Sequence, residues 1–228
     1  MNDIVIEVKN ISKTYGSGEV AFEALKDVSF SVNRGSFVSL MGRSGSGKST
    51  LLHIMASLDK CTSGEVILDG VNINSLSNKE RCSLRNEKIG FIFQSFYLEE
   101  NYTVFTNIEM PLIISGIPKK ERIQMVNDVA EKVGLSSKLK NKAANLSGGE
   151  KQRVAIARAI VNKPLIIFAD EPCGNLDTEN SDIIMNLLAD LTKMNVTVVL
   201  VTHSLDDVQK TERIISLRDG MVISDEMV

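Results

Sequence analysis

Cysteine is scarce: Cys61, Cys82 and Cys173 are the three in 228 residues. Odd in number and scattered, they exclude a disulfide framework and a zinc cluster and fit reduced thiols. No basic excess exists either, since 26 Lys and Arg stand against 29 Asp and Glu for a formal charge of -3. Nucleic acid and anionic lipid, which attract concentrated positive charge, are therefore not expected as the main partner. Long hydrophobic runs are missing. Val196 to Val201 and Leu165 to Ala169 are among the longest, far short of the ~18 residues that span a bilayer. The opening MNDIVIEVKN is acidic and lacks the basic, apolar and small-residue succession of a secretory signal, so the chain is expected to be cytoplasmic. There is no internal repeat, no low-complexity tract and no linker rich in Pro, Gly or Ser, which favours one domain. With 43% hydrophobic and 24% charged residues, the composition excludes disorder, collagen and coiled coil and is that of a globular domain.

What is present alternates between strand-like and helix-like patterns. Ile4 to Lys9 and Val28 to Val32 alternate apolar and polar residues, and Gly64 to Asp69 runs into an Asp69-Gly70 turn signal, so an antiparallel N-terminal layer is predicted. Phe37 to Met41, Ile89 to Phe93, Leu165 to Ala169 and Thr197 to Val201 are short continuous apolar runs, the pattern of parallel strands buried on both faces. Between Gln94 and Pro164 the apolar residues recur at helical spacing. Ile108, Leu112 and Ile113 form one set, and Val126, Val129, Ala130 and Val133 another. Ile214 to Asp225 reads as a hairpin around Asp219-Gly220.

The most specific local signal is GRSGSGKST, residues Gly42, Arg43, Ser44, Gly45, Ser46, Gly47, Lys48, Ser49 and Thr50. It lies between an apolar strand and the helix-compatible stretch Ser49 to Ser57, the context that a phosphate-binding P-loop requires. Glycines let the backbone wrap tightly, so that the amides of Gly45, Gly47, Lys48 and Ser49 point at phosphate from a helix N-terminus. Lys48 would reach the β- and γ-phosphates. The Ser49 hydroxyl would ligate Mg²⁺, with Thr50 as a further hydroxyl. By itself the motif indicates a nucleoside triphosphate and does not separate kinase, GTPase and motor ATPase.

Two further segments narrow the choice. LIIFADE, residues 165 to 171, is a buried strand ending in paired carboxylates. Residues at the carboxyl end of a parallel strand face the ligand crevice, so Asp170 would join the Mg²⁺ shell and Glu171 would act as general base on the attacking water. LSGGE, with Ser147, Gly148, Gly149 and Glu150, precedes the helical run KQRVAIARAI. Its Ser-Gly-Gly start is a helix cap and a second amide-rich nest. One γ-phosphate serves both nests within a single chain only if they adjoin, a geometry that sequence leaves open.

GRSGSGKST, Gln94 after an apolar strand, LSGGE, LIIFADE, GNLD at Gly174 to Asp177, and His203 after Thr197 to Val201 occur in this order across nearly the whole chain. Together they resemble the nucleotide-binding domain of ATP-binding cassette (ABC) transporters. The resemblance implies an α/β fold: a P-loop NTPase (RecA-like) core with an N-terminal antiparallel β layer and an inserted α-helical subdomain. It implies one domain over 1–228, the core formed by 1–94 and 164–228 and the helical subdomain by 95–163. In that family two copies associate head to tail on binding ATP, so Ser147, Gly148, Gly149 and Glu150 would close over nucleotide held by the partner. Gln94 resembles the glutamine that reaches Mg²⁺ and the attacking water. His203 resembles the histidine that contacts the γ-phosphate, whereas His53 reads as structural. Asp177 resembles the acid that organises the opposite site. Tyr15 sits where the family places an aromatic on adenine.

GFIFQSFYL, LSGGE and EPCGNLDT are closest to the subgroup of macrolide exporters, lipoprotein-release ATPases and cell-division ATPases. The expected function is hydrolysis of Mg²⁺-bound ATP to drive a separate transmembrane permease, at the inner face of the cell membrane. Three positions depart from the usual pattern: Arg43 for proline, Cys173 for threonine, and Glu99 to Tyr102 for a Leu-Pro segment at the permease contact. The alternatives are a soluble ABC-type ATPase on nucleic acid or ribosomes, which usually carries a coiled-coil insertion or tandem cassettes, and a P-loop kinase or switch, which leaves LSGGE, GNLD and His203 unexplained.

Overall fold

The computed structural model describes residues 3–228. Met1 and Asn2, the start of the segment read as lacking a secretory signal, lie outside the described residues. Two sheets organise the chain. The first is antiparallel, in the order β2-β1-β4-β5, from β1 (Ile4–Tyr15), β2 (Phe22–Asn33), β4 (Ser63–Leu68) and β5 (Val71–Asn72). The predicted Asp69-Gly70 turn joins β4 to β5, with φ of 48° and 77°, the left-handed pair that a tight hairpin requires.

The second sheet has the order β10-β9-β3-β8-β7-β6. Its strands β3 (Phe37–Met41), β6 (Ile89–Ile92), β7 (Ile166–Asp170), β8 (Thr197–Val201) and β9 (Arg213–Arg218) run parallel, and β10 (Met221–Met227) returns antiparallel on the edge. Successive residues of a strand point to opposite faces, and here the two faces enter separate cores. Phe168, Val199 and Val201 pack toward the antiparallel layer and α1 (Lys48–Met55). Ile167, Ala169, Val198 and Leu200 pack against helices on the other side. These strands are consequently apolar at nearly every position, which is why they read as continuous runs.

Between β6 and β7 lie α3 (Val104–Ile114), α4 (Lys119–Lys132) and α5 (Gly148–Ile160). On α4 and just beyond it, Val126, Val129, Ala130 and Val133 are all buried, as the spacing predicts. On α3 the buried stripe is Val104, Ile108 and Leu112, whereas Ile113 is 49% exposed. A step of four residues keeps to one helix face and a step of five does not, so Ile113 leaves the predicted set. The helices α2 (Asn78–Lys88), α6 (Thr178–Lys193) and α7 (Leu205–Val208) complete the fold. Among the described residues no helix is long and apolar enough to cross a membrane.

Candidate active site

The chain leaves β3 into a loop in which two glycines, Gly42 and Gly47, are sterically required. Gly42 has φ 153°, and a Cβ there would run into the Leu217 carbonyl and the Ser46 hydroxyl. Gly47 caps α1 at φ 98°, where a Cβ would lie 2.6 Å from the Ala24 carbonyl oxygen. Only a residue without a side chain combines that backbone with that approach. The loop therefore curls tightly, and its first helical amides have no partner within α1.

Lys48 is buried and donates from Nζ to the carbonyl oxygens of Gly42 at 2.8 Å and Arg43 at 2.9 Å. Burial pushes its ammonium below the usual lysine range, against the pull of Glu171 and Asp170. The Ser49 hydroxyl donates to Asp170 Oδ1 at 3.1 Å. Burial likewise raises the Asp170 carboxyl, a rise that the Ser49 hydrogen bond opposes. A buried cation and a half-buried carboxylate thus stand at the mouth of an amide-lined loop, a setting that favours phosphate with a bound cation. Hydroxyl and carboxylate oxygens are hard donors that suit Mg²⁺, which takes few protein ligands and completes its shell from phosphate and water. No cluster of three His, Cys, Asp or Glu able to hold a metal exists among the described residues.

Glu171 follows at the tip of β7 with φ 46°, a left-handed conformation that is costly for glutamate. Its amide donates to the Val201 carbonyl at 2.9 Å. The strain turns the chain out of the sheet, and the Glu171 Oε1 lies 3.3 Å from Nδ1 of His203, just beyond β8. Gln94 reaches the same loop from the end of β6. A Cβ on Gly174 would stand 2.8 Å from the Gln94 amide nitrogen, and Asn175 Nδ2 donates to the Gln94 carbonyl at 3.3 Å. Lys48, Ser49, Asp170, Glu171, His203 and Gln94 are therefore gathered at the carboxyl ends of adjacent parallel strands. Burial drives the Cys173 thiol up to about 12, so it stays protonated and unreactive at neutral pH.

Ser147 to Glu150 open α5. Ser147 Oγ accepts from the Glu150 amide at 3.3 Å, and Glu150 accepts from the Ser147 amide at 2.9 Å, closing a capping box on α5. That amide bond, foremost, holds Glu150 below its usual range, and its other oxygen pairs with Lys138 Nζ at 3.2 Å. A Cβ on Gly149 would collide with the Asn180 side chain. Asp177 caps α6, accepting from the Asn180 amide at 2.8 Å. Among the described residues, no hydrogen bond or ion pair joins Ser147–Glu150 or Asp177 to the loop 42–50. Tyr15 lies at the end of β1, its hydroxyl donating to Asp59 at 2.8 Å.

Three neighbours were not anticipated. His53 Nε2 lies 3.8 Å from Asp170 Oδ2, and its spacing of four from Ser49 on α1 carried that signal. Asn180 against Gly149 and Asp59 beneath Tyr15 left no trace in sequence, because tertiary packing alone brings them together.

A family model described as "ABC transporter" matches residues 25–174. An uncharacterised ABC transporter ATP-binding protein of Thermotoga maritima is 45% identical over 96% of this chain and 93% of its own length. The lipoprotein-releasing system ATP-binding protein LolD of Legionella pneumophila is 41% identical, covering 99% of this chain and all of that protein. The macrolide export ATP-binding/permease protein MacB of Aggregatibacter actinomycetemcomitans is 42% identical over 97% of this chain but only 34% of its own length. The dimeric cassette MJ0796, in a post-hydrolysis state with ADP and Pi, superposes with a TM-score of 0.90 at 43% identity, covering 97% and 98% of the two chains.

Proposed function

Because this chain belongs to the ABC transporter family as an ATP-binding subunit and ATPase, we propose specific roles for the residues gathered at its strand ends. The loop Gly42 to Thr50 holds the phosphates, its amides and Lys48 replacing water around the anionic oxygens. Ser49, Asp170 and Gln94 would hold Mg²⁺, which when bound neutralises phosphate charge. Glu171 takes the proton of the attacking water, and His203, 3.3 Å away, orients it and contacts the γ-phosphate.

The start of α5 has its counterpart in a second copy. Ser147, Gly148 and Gly149, with Glu150 holding their cap, donate to the γ-phosphate bound by the partner chain. Asp177 lies alongside, since a Cβ on Gly148 would stand 3.6 Å from Leu176. Residues 95–163 act as the lever that carries this closure to a separate transmembrane permease, at the inner face of the membrane. The relatives named for lipoprotein release and macrolide export support export, extraction or mechanical transmission of lipoprotein, peptide or antibiotic cargo.

The observation that carries this reading is the convergence of Lys48, Ser49, Asp170, Glu171 and His203 at the ends of β3, β7 and β8. Glu171→Gln should retain ATP binding and lose about 10²- to 10⁴-fold in turnover. Near wild-type release of phosphate by that variant would overturn the assignment of Glu171. Co-purification of an integral membrane protein with the tagged chain tests the permease.

A further inference from the structure

One ring at the edge of the site is held by two side chains with no assigned role. Tyr15 ends β1, and Lys13 lies two residues earlier, on the same face of the strand. Lys13 donates to Asp59 Oδ1 at 2.9 Å and to the Lys60 carbonyl at 2.6 Å, while its Nζ stands 4.5 Å from the centre of the Tyr15 ring. Asp59, just beyond α1, accepts from the Tyr15 hydroxyl on its other oxygen at 2.8 Å and from the Lys60 amide at 2.7 Å. The Lys13 side chain is 11% exposed, so this is a packed cation and not a loose surface charge.

The two contacts fix different freedoms of the ring. The hydroxyl bond to Asp59 fixes where the ring's far end points. The ammonium fixes its tilt, because a cation is attracted to the π-face and not to the edge. Burial, then the Asp59 bond, raises the phenol above its usual range, and the nearby Thr50 hydroxyl at the start of α1 opposes that rise. Burial would raise Asp59 as well, but hydrogen bonds from Lys13, Tyr15 and the Lys60 amide outweigh it and keep it ionised. Tyr15 itself remains 42% exposed.

We propose that Lys13 and Asp59 are positioning residues for nucleotide recognition: they lock the Tyr15 ring with one face against the Lys13 ammonium and offer the open face to the base. The inference rests on the reading of Tyr15 as the adenine platform. A ring already frozen in its stacking geometry loses less conformational freedom when the base arrives. Freeing it should therefore weaken base-dependent affinity by about two- to tenfold, without touching the phosphate loop.

The test is steady-state ATPase kinetics of the full chain, with inorganic tripolyphosphate as a competitor that carries phosphates but no base. Lys13→Met and Asp59→Asn are expected to raise the KM for ATP about two- to tenfold, with kcat within twofold and tripolyphosphate inhibition unchanged. Tyr15→Phe, which removes only the hydroxyl, should match Asp59→Asn and keeps the question decidable if Lys13→Met melts early. Asp59→Asn should add nothing in a Tyr15→Ala background. Wild-type KM in Asp59→Asn and Tyr15→Phe, alongside a raised KM in Tyr15→Ala, would overturn the proposal and leave the platform standing. A wild-type KM in Tyr15→Ala would remove the platform and the proposal with it, and weakened tripolyphosphate binding would show that the effect runs through the phosphate loop.

Discussion

At the end of β3, side chains from separate stretches of the chain interlock: Ser49 bonds Asp170 at 3.1 Å, His53 stands 3.8 Å from the same carboxylate, and Glu171 meets His203 at 3.3 Å. At the start of α5 the partners are near in sequence, Ser147 with Glu150 and Glu150 with Lys138 at 3.2 Å. Both are helix N-termini with free amides. The first is inseparable from the sheet beneath it, and its buried Lys48 and half-buried Asp170 are both displaced toward their uncharged forms by desolvation. The second is finished locally, with Ser147 and Gly148 exposed. A loop built this way binds its ligand within the chain, whereas a capped, exposed helix start can be presented to another molecule without refolding.

Substitutions that affect one region and spare the other sharpen the contrast. Lys48→Ala removes a charged donor aimed into the loop and should weaken ATP binding by about 10- to 100-fold, measured by calorimetry on the single chain. Gly42→Ala forces a Cβ against the Leu217 carbonyl at φ 153° and should cost about 1–3 kcal/mol of stability, read by denaturant unfolding. Gly148→Ala meets only Leu176 at 3.6 Å and should stay within about 1 kcal/mol of wild type. A larger loss in Gly148→Ala than in Gly42→Ala would break the contrast. Ser147→Ala loses the cap acceptor of α5 and should cost about 0.5–2 kcal/mol, with ATP affinity of the single chain unchanged.

Elements whose environment is uniform along their length were legible in sequence. Phe37 to Met41 and Thr197 to Val201 match β3 and β8 residue for residue, because strands covered on both faces are apolar at nearly every position. By contrast, β1 and β2 extend well past Lys9 and before Val28. Their pairing shifts register between Val8 and Lys13, and Asn10 and Asp27 take φ of 48° and 51°, so bulges interrupt the alternation on which the reading relied. The helix α2 went unread because only Arg81 and Leu84 on it are buried, although its Ser77-Glu80 capping box is a sequence-level signal. Within the site, residues carried on contiguous loops were found. Those assembled across the fold, such as Asp59 with Lys13 and Tyr15, were not, since 44 and 46 residues separate the partners.

In the proposed arrangement the start of α5 acts on nucleotide held by another copy. In a Glu171→Gln background, where hydrolysis is slowed, ATP should shift the 25.0 kDa chain to a dimer by light scattering. Adding Gly148→Asp places a carboxylate on an exposed first turn, where it suits the helix dipole and leaves the fold and the single chain's ATP affinity intact. It also sets a negative charge where the partner's γ-phosphate would arrive. The expected result is a nucleotide-loaded monomer; a dimer formed as readily as without the added carboxylate would contradict the account.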